Sequence, residues 1–209
     1  MEFRLTYAGP LAATQGNEVG SRWSPKLQRK HEIRQRFHPQ LKRLWDTTPF
    51  LKTGGRSGPS ALVTEDSPDI PPYDVAALGA KYSLYGWNFV PLVTEELNLI
   101  CGLDILFLRP SAPGQLVSGG DLDNRLKTLF DALRIPEANE MYADRVPDDP
   151  DEKPFYCLLS DDKLITKVSL ETDQLLEFVG SGANPDDVRL VITVRLRPYE
   201  MHLGNMQFS

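Results

Sequence analysis

The run from Leu99 to Leu108 restricts the fold most, because it is almost wholly apolar and ends at Arg109-Pro110. An apolar run of this length bounded by such a stop predicts a central strand of a β-sheet. Asp104 interrupts the run, and an aspartate buried there would need a partner. We therefore expect a sheet built around this strand, with Asp104 as a candidate supporting residue for a nearby site.

Three other segments alternate between apolar and polar residues, which is typical of half-buried strands. They are residues 3–7, residues 164–170 and residues 188–196, the last ended by Pro198. Residues 82–93 also look extended, with Tyr85, Trp87 and Phe89 on one face. Such a face fits a core better than a platform for stacking bases.

Helices are predicted between these strands. Ser24-Pro25 forms an N-cap and first helical position for a helix that runs to about Trp45. Pro39 lies inside it, which predicts a kink or two helices. The order of elements predicts an α/β (α+β) fold, a mixed β-sheet with helices packed on it. We expect one domain over residues 1–209, with a long Pro/Gly-rich loop at about 47–80 and an acidic insertion at about 137–160.

The segment from Gly120 to Lys127 carries the strongest chemical signal. Leu126, Leu129, Phe130 and Leu133 form one apolar helical stripe, so Asp121, Asp123 and Asn124 lie at a helix start. One cap needs only one side chain, yet three oxygen-bearing side chains occur within four residues. A second acidic pair, Asp161-Asp162, opens a predicted strand. Such carboxylates could converge on a hard divalent cation. Alternatively, Asp121 or Asp123 caps the helix, and Asp123, Lys127 and Asp131, which recur every fourth residue, form a solvated ion-pair ladder.

These residues also resemble a known family. The residues Asp121-Leu122-Asp123-Asn124, Lys127, the segment 130–133 and the later pair Asp161-Asp162 are similar to the core motif of RusA-type Holliday-junction resolvases. The resemblance covers roughly residues 120–168. It implies that Asp121, Asp123 and Asp162 bind Mg²⁺, with Mn²⁺ possible, that Lys127 assists catalysis, and that a homodimer acts on four-way DNA junctions. The acidic insertion at 137–160 departs from the family pattern.

The resemblance therefore implies a magnesium-dependent, structure-selective DNA endonuclease that hydrolyses phosphodiesters at branched DNA. An alternative is a catalytically silent DNA-binding or assembly protein on the same fold, whose site is filled or closed by the insertion. A metal-dependent nuclease for another branched or flapped substrate lies between these two hypotheses.

The charge distribution bears on DNA binding. The net charge is −6, which is unusual for a protein that binds nucleic acid, but residues 22–45 concentrate lysine and arginine with Glu32 as their one acid. Arg29, Lys30 and Arg34 are the candidate phosphate-binding residues of this segment. A solvated helix face is the alternative explanation for the same residues.

Compartment and membrane association follow from what the sequence lacks. No apolar run approaches the roughly 20 residues that span a membrane, and residues 1–4 lack a signal-peptide hydrophobic region. Cys101 and Cys157 have neither a CxxC spacing nor partner histidines, so no disulfide framework is expected. We expect a cytoplasmic protein that does not associate with membranes.

Overall fold

The computed structural model of this chain describes residues 1–12, 25–52, 74–110, 121–141, 147, 149–177, 184, 186–202 and 204–209. Within these ranges the protein has mixed α+β architecture with two sheets. The helices are α1 (Pro25–Thr47), α2 (Pro49–Lys52), α3 (Val75–Lys81) and α4 (Asp121–Leu133). Single 3₁₀ turns span Ala138–Glu140, Pro150–Glu152, Asp162–Leu164 and Met206–Phe208.

The larger sheet has four strands in the order β1-β7-β4-β6. Its strands are β1 (Glu2–Pro10), β4 (Leu99–Arg109), β6 (Ile165–Gln174) and β7 (Asp187–Pro198). The apolar run at 99–108 is the central strand β4, as predicted, and it pairs antiparallel with β7 and parallel with β6. Alternate residues of β4 are buried, so one face of this sheet carries the core and the other is half-exposed.

The smaller sheet has the order β2-β3-β5, formed by β2 (Ser83–Leu84), β3 (Trp87–Val93) and β5 (Phe155–Leu159). Strand β5 is buried at every position and pairs parallel with β3. It lies within the segment 137–160, which was interpreted as an acidic insertion. The short apolar run at 155–159 was missed as a strand, because the interpretation was based on the many acidic residues that precede and follow it.

Two other sequence predictions need correction. Of the two outcomes expected at Pro39, a kink or two helices, the second is wrong, because α1 runs through Pro39 as one helix. The predicted loop at 47–80 contains the short helices α2 and α3, while residues 53–73 lie outside the described part of the chain. Asp74 caps α3, because its side chain accepts a hydrogen bond from the Ala76 N–H at 3.0 Å.

The main core lies between the larger sheet and the helices. It joins the buried residues of β4 and β7 with Ile33, Phe37 and Leu41 of α1 and with Leu129 and Leu133 of α4. Each such side chain contributes roughly 1.5–3 kcal/mol when it leaves water. The helices α1 and α4 are therefore fixed on the sheet by the apolar stripes that the sequence shows.

A second, smaller core is aromatic and belongs to the smaller sheet. The rings of Trp87 and Phe89 lie 5.9 Å apart and nearly parallel, and both contact the Phe155 ring edge-on. The interpretation of Trp87 and Phe89 as core residues is confirmed. Tyr85 instead lies exposed in the turn before them, with φ 49°. In the described ranges, no helix combines the length and the apolar character needed to cross a bilayer.

Candidate active site

Helix α4 begins at Asp121, at the start of the predicted motif. The buried residues Leu129 and Leu133 hold the helix on the core, while Asp123 and Lys127 are exposed one turn apart on another face of it. The side chain of Asp121 lies outside the described part of the structure. The motif therefore places at least one carboxylate and one ammonium group on the exposed surface of this helix.

The acidic pair comes close to the other end of α4. The Ile135 N–H donates to the carbonyl of Leu159 at 2.9 Å, so the chain leaving α4 runs beside the end of β5. The chain then reaches Asp161, whose carboxylate accepts a hydrogen bond from the Lys163 N–H at 2.9 Å and caps the 3₁₀ turn Asp162–Leu164. Strand β6 thus begins at Ile165 rather than directly after the acidic pair.

The two aspartates of the pair differ electrostatically. Burial and the adjacent Asp161 and Asp131 raise the pKa of Asp162, and Arg134 only partly opposes them. Burial also acts to raise the pKa of Asp161, but the Lys163 N–H and ammonium group outweigh it and hold that pKa below its usual value. Asp161 is therefore engaged in local structure, whereas Asp162 is an exposed anion with acidic neighbours.

The structure does not by itself assemble the three predicted metal ligands. Among the described residues, no three His, Cys, Asp or Glu side chains lie close enough to hold a metal ion. Asp131, whose charge acts on Asp162, is about 12 Å along the helix from Asp123. Because the side chain of Asp121 is not described, a site shared by Asp121, Asp123 and Asp162 stays a prediction.

Sequence reasoning missed the acids that follow β3. Strands β3 and β5 are parallel, so Glu95 and Glu96 lie at the same edge of the smaller sheet as Asp161. The Lys163 Nζ atom bridges Glu95 Oε1 at 2.5 Å and Asp161 Oδ2 at 3.5 Å. The Tyr82 hydroxyl donates to Glu96 at 2.9 Å. The sequence signal that could have indicated these acids is the pair Glu95-Glu96, which follows the apolar run at the end of β3.

A buried cluster of charges lies between α1, α4 and the segment after α4. The Lys30 Nζ atom contacts Asp131 at 2.6 Å and Glu140 at 2.7 Å. The guanidinium group of Arg34 contacts Glu140 at 3.1 Å and donates to the Asp131 carbonyl at 2.7 Å. Arg134 contacts both acids, at 3.2 Å from Glu140 and 3.4 Å from Asp131. These ion pairs hold the acidic segment 137–160 against the basic helix α1.

The pKa shifts in the cluster follow from burial and pairing. Burial acts to raise the pKa of Glu140, but Arg34, Lys30 and Arg134 outweigh it and leave the pKa below its usual value. Burial lowers the pKa of Arg34, and Glu140 opposes that shift. Glu140 is therefore the anion on which the buried cations depend.

The predicted phosphate-binding residues divide into two groups. Lys30 and Arg34 are buried and paired with carboxylates, so they are not presented to phosphates, and we correct their assignment to structural cations. Arg29 is exposed, and Arg36 and Arg43 are exposed at the same seven-residue spacing. Seven residues are nearly two helical turns, so these three arginines form one stripe, hereafter the arginine stripe.

Other acids of segment 137–160 also contact α1. The Lys42 Nζ atom lies 3.1 Å from Asp151, and the Gln35 amide donates to Glu152 at 2.7 Å. The basic run and the acidic segment that the sequence shows separately are thus partners in the fold.

Comparison with protein-family models, with curated proteins and with solved structures gives no match for this chain. The motif residues and the contacts described above are therefore the features of this chain that bear on its function.

Proposed function

We propose that this protein is a magnesium-dependent, structure-selective DNA endonuclease that acts on four-way junctions and resembles RusA-type resolvases. The observation that carries the proposal is the motif helix: Asp121 is its first residue, and Asp123 and Lys127 are exposed one turn apart. Asp162 supports it, because this exposed carboxylate has Asp161 and Asp131 as acidic neighbours; burial first, and then these acids, raise its pKa against the opposing Arg134. A carboxylate with acidic neighbours and a raised pKa is a candidate for a site that a cation occupies.

The donor chemistry of these residues fits magnesium. Asp121, Asp123 and Asp162 would hold the ion, because Mg²⁺ prefers a few carboxylate oxygens and keeps several waters. When bound, the ion supplies a polarised phosphate and an activated water for in-line attack. Manganese takes the same hard oxygen ligands.

The chain's own residues have distinct parts in this proposal. The exposed ammonium group of Lys127 lies one turn from Asp123 and stabilises negative charge that develops on the phosphate. Asp161 holds the turn that carries Asp162 through its bond from the Lys163 N–H. The arginine stripe of α1 is the described surface best suited to phosphate contacts, because its three side chains are exposed on one helix face.

Cleavage of a synthetic four-way junction tests the proposal. The wild-type protein should cut the junction in magnesium and not in excess chelator. The substitution Asp123→Asn should reduce cleavage by more than about 100-fold, since even changes around metal ligands cost 10–100-fold. Junction affinity should be retained, because the phosphate-binding arginines are unchanged.

The matched control is Asp46→Asn, which removes an exposed carboxylate from α1, away from the motif. This variant should cut as fast as the wild type. Binding of the junction without cleavage in magnesium or manganese would favour the silent binding protein instead. Cleavage of flapped DNA in preference to the four-way junction would point to the related nuclease with another substrate.

A further inference from the structure

Strand β6 is an edge of the larger sheet. Among the described strands it pairs only with β4, and most of its residues are exposed. Val168, on the face that carries the core, is 44% exposed although its neighbour in the sheet, Leu103, is fully buried. A long edge strand of this kind presents unpaired backbone groups to another chain.

The opposite edge of the same sheet is partly covered by a side chain. The side-chain amide of Gln40 accepts from the Thr6 N–H at 2.9 Å and donates to the Thr6 carbonyl at 2.7 Å. These are the two bonds that a neighbouring strand would make to β1, and Pro10 adds a position without an N–H at this edge. At the β1 edge a side chain therefore occupies the backbone groups of Thr6, whereas no described strand pairs with the outer side of β6.

The backbone groups that face the open edge can be identified. The Leu175 N–H donates to the Arg109 carbonyl at 2.7 Å, so Leu175 faces β4. Because successive residues of a strand direct their N–H and C=O groups to opposite sides, the even-numbered residues face outward. These are Thr166, Val168, Leu170 and Thr172.

We propose that β6 pairs antiparallel with β6 of a second copy of this chain, with Ser169 opposite Ser169 at the centre. In this register Lys167 lies opposite Glu171 of the other copy, and Val168 lies opposite Leu170. Two Lys–Glu pairs form on one face of the joint sheet and two Val–Leu pairs on the other. Opposite charges and apolar pairs directly across a ladder each stabilise it.

The strand matches itself better than it matches an arbitrary partner. The register puts outward-facing residues opposite one another, as an antiparallel ladder requires, and Thr166 meets Thr172 in the same way. A shift by one residue would pair outward-facing with inward-facing positions and break the ladder. The Lys167 ammonium group lies 3.4 Å from Asp104 of its own chain, but its side chain is 67% exposed and can also meet a carboxylate across the edge. The self-complementary order of Lys167 and Glu171 about Ser169 favours a second copy as the occupant.

The proposal rests on the edge strand and not on the nuclease activity. The twofold axis at Ser169 makes the contact isologous, so it closes after two copies. If the proposed function also holds, the dimer carries two sites, one for each strand of a four-way junction.

Charge exchange tests the interface. Lys167→Glu and Glu171→Lys should each raise the dimer dissociation constant by at least about tenfold, because two attractive pairs become repulsive. A mixture of the two variants should restore dimers, since every Glu then faces a Lys. Analytical ultracentrifugation measures the three samples, and melting curves check that each variant folds. Single variants as dimeric as the wild type, or a mixture that stays monomeric, would overturn the proposal.

A cross-link tests the register. Ser169→Cys should form an intermolecular disulfide on mild oxidation, because opposite residues at a non-hydrogen-bonded pair lie close enough. The native thiols do not compete, because Cys101 and Cys157 are buried and burial raises the pKa of each to about 12. The control Glu171→Cys should not cross-link, because position 171 of one copy lies opposite position 167 of the other and so is four residues from its own counterpart. A cross-link at Glu171→Cys and not at Ser169→Cys would overturn the register.

Discussion

At the residue scale, His38 shows how a polar group is used for structure. Its Nδ1 atom accepts from the Tyr156 N–H at 2.9 Å, and Nε2 lies 3.0 Å from the Asp151 carbonyl, to which it donates. The ring stacks on Phe155 with centroids 4.5 Å apart. These bonds require the neutral ring, and burial lowers the pKa of His38 despite the opposing Asp151 carbonyl. Its partners Asp151 and Tyr156 are 113 and 118 positions away in the sequence, so no local pattern indicated this role.

His38 makes stability depend on pH. The unfolded chain has a histidine pKa of about 6.5, and the folded pKa is lower, so the unfolded state binds more protons below that pH. The free energy of unfolding should therefore be level above about pH 6.5 and decrease as the pH falls below it. Urea unfolding at pH 7.5 and 5.5 measures the change. His38→Gln should reduce that pH dependence; an unchanged dependence would contradict the assignment.

Glu140 should be more important for stability than an acid three residues away. Glu140→Gln leaves Lys30, Arg34 and Arg134 short of an anion in a buried place, and we expect a loss of about 3–5 kcal/mol. The control is Glu137→Gln, because Glu137 also contacts Arg134, at 3.1 Å, but its side chain is 62% exposed. That change should cost about 0–1 kcal/mol. Urea denaturation that finds equal losses would show that the buried cluster is not essential.

At the element scale, the elements predicted correctly are those that local sequence patterns determine. The apolar stripe of α4, the central position of β4 and the strand β7 follow from helical periodicity, an apolar run and alternation. The function of the basic run on α1 was misassigned, because Lys30 and Glu140 are 110 positions apart and no local pattern links them. Strand β5 was missed for a related reason. It is buried because it pairs with β3, which is distant in the sequence, whereas many residues near it in the sequence are acidic.

The arginine stripe gives a prediction for α1. Charge reversal at Arg29, Arg36 and Arg43 should weaken junction binding and reduce the slope of log affinity against log salt by up to about 0.9 for each lost phosphate contact. The matched control reverses three exposed cations on other elements, Lys52, Lys153 and Arg197, which changes the net charge equally. Fluorescence anisotropy at several salt concentrations measures both. Equal losses in the two triple variants would show that the stripe has no specific part.

At the scale of the whole molecule, the acidic segment and the basic helix compensate each other. The buried pairs of Lys30 and Arg34 with acids remove from the surface some of the positive charge that the sequence suggested for DNA binding. The exposed arginines of the arginine stripe are then the candidates for phosphate contacts. The motif helix was predicted from sequence, but a strand was expected directly after Asp161-Asp162, where the structure has a 3₁₀ turn. The surroundings of Asp162 were not predicted, because Arg134 and Asp131 act on it only through the packing of α4 against the end of β5.

Isothermal titration with Mn²⁺ tests most directly whether the three aspartates form one metal site. The wild-type protein should bind the ion, and Asp123→Asn and Asp162→Asn should each weaken binding by more than about tenfold, because each removes an anionic ligand. Asp161→Asn should stay within a few-fold of the wild type, since Asp161 is engaged with Lys163. Wild-type affinity in Asp162→Asn, or no binding at millimolar Mn²⁺, would contradict the account.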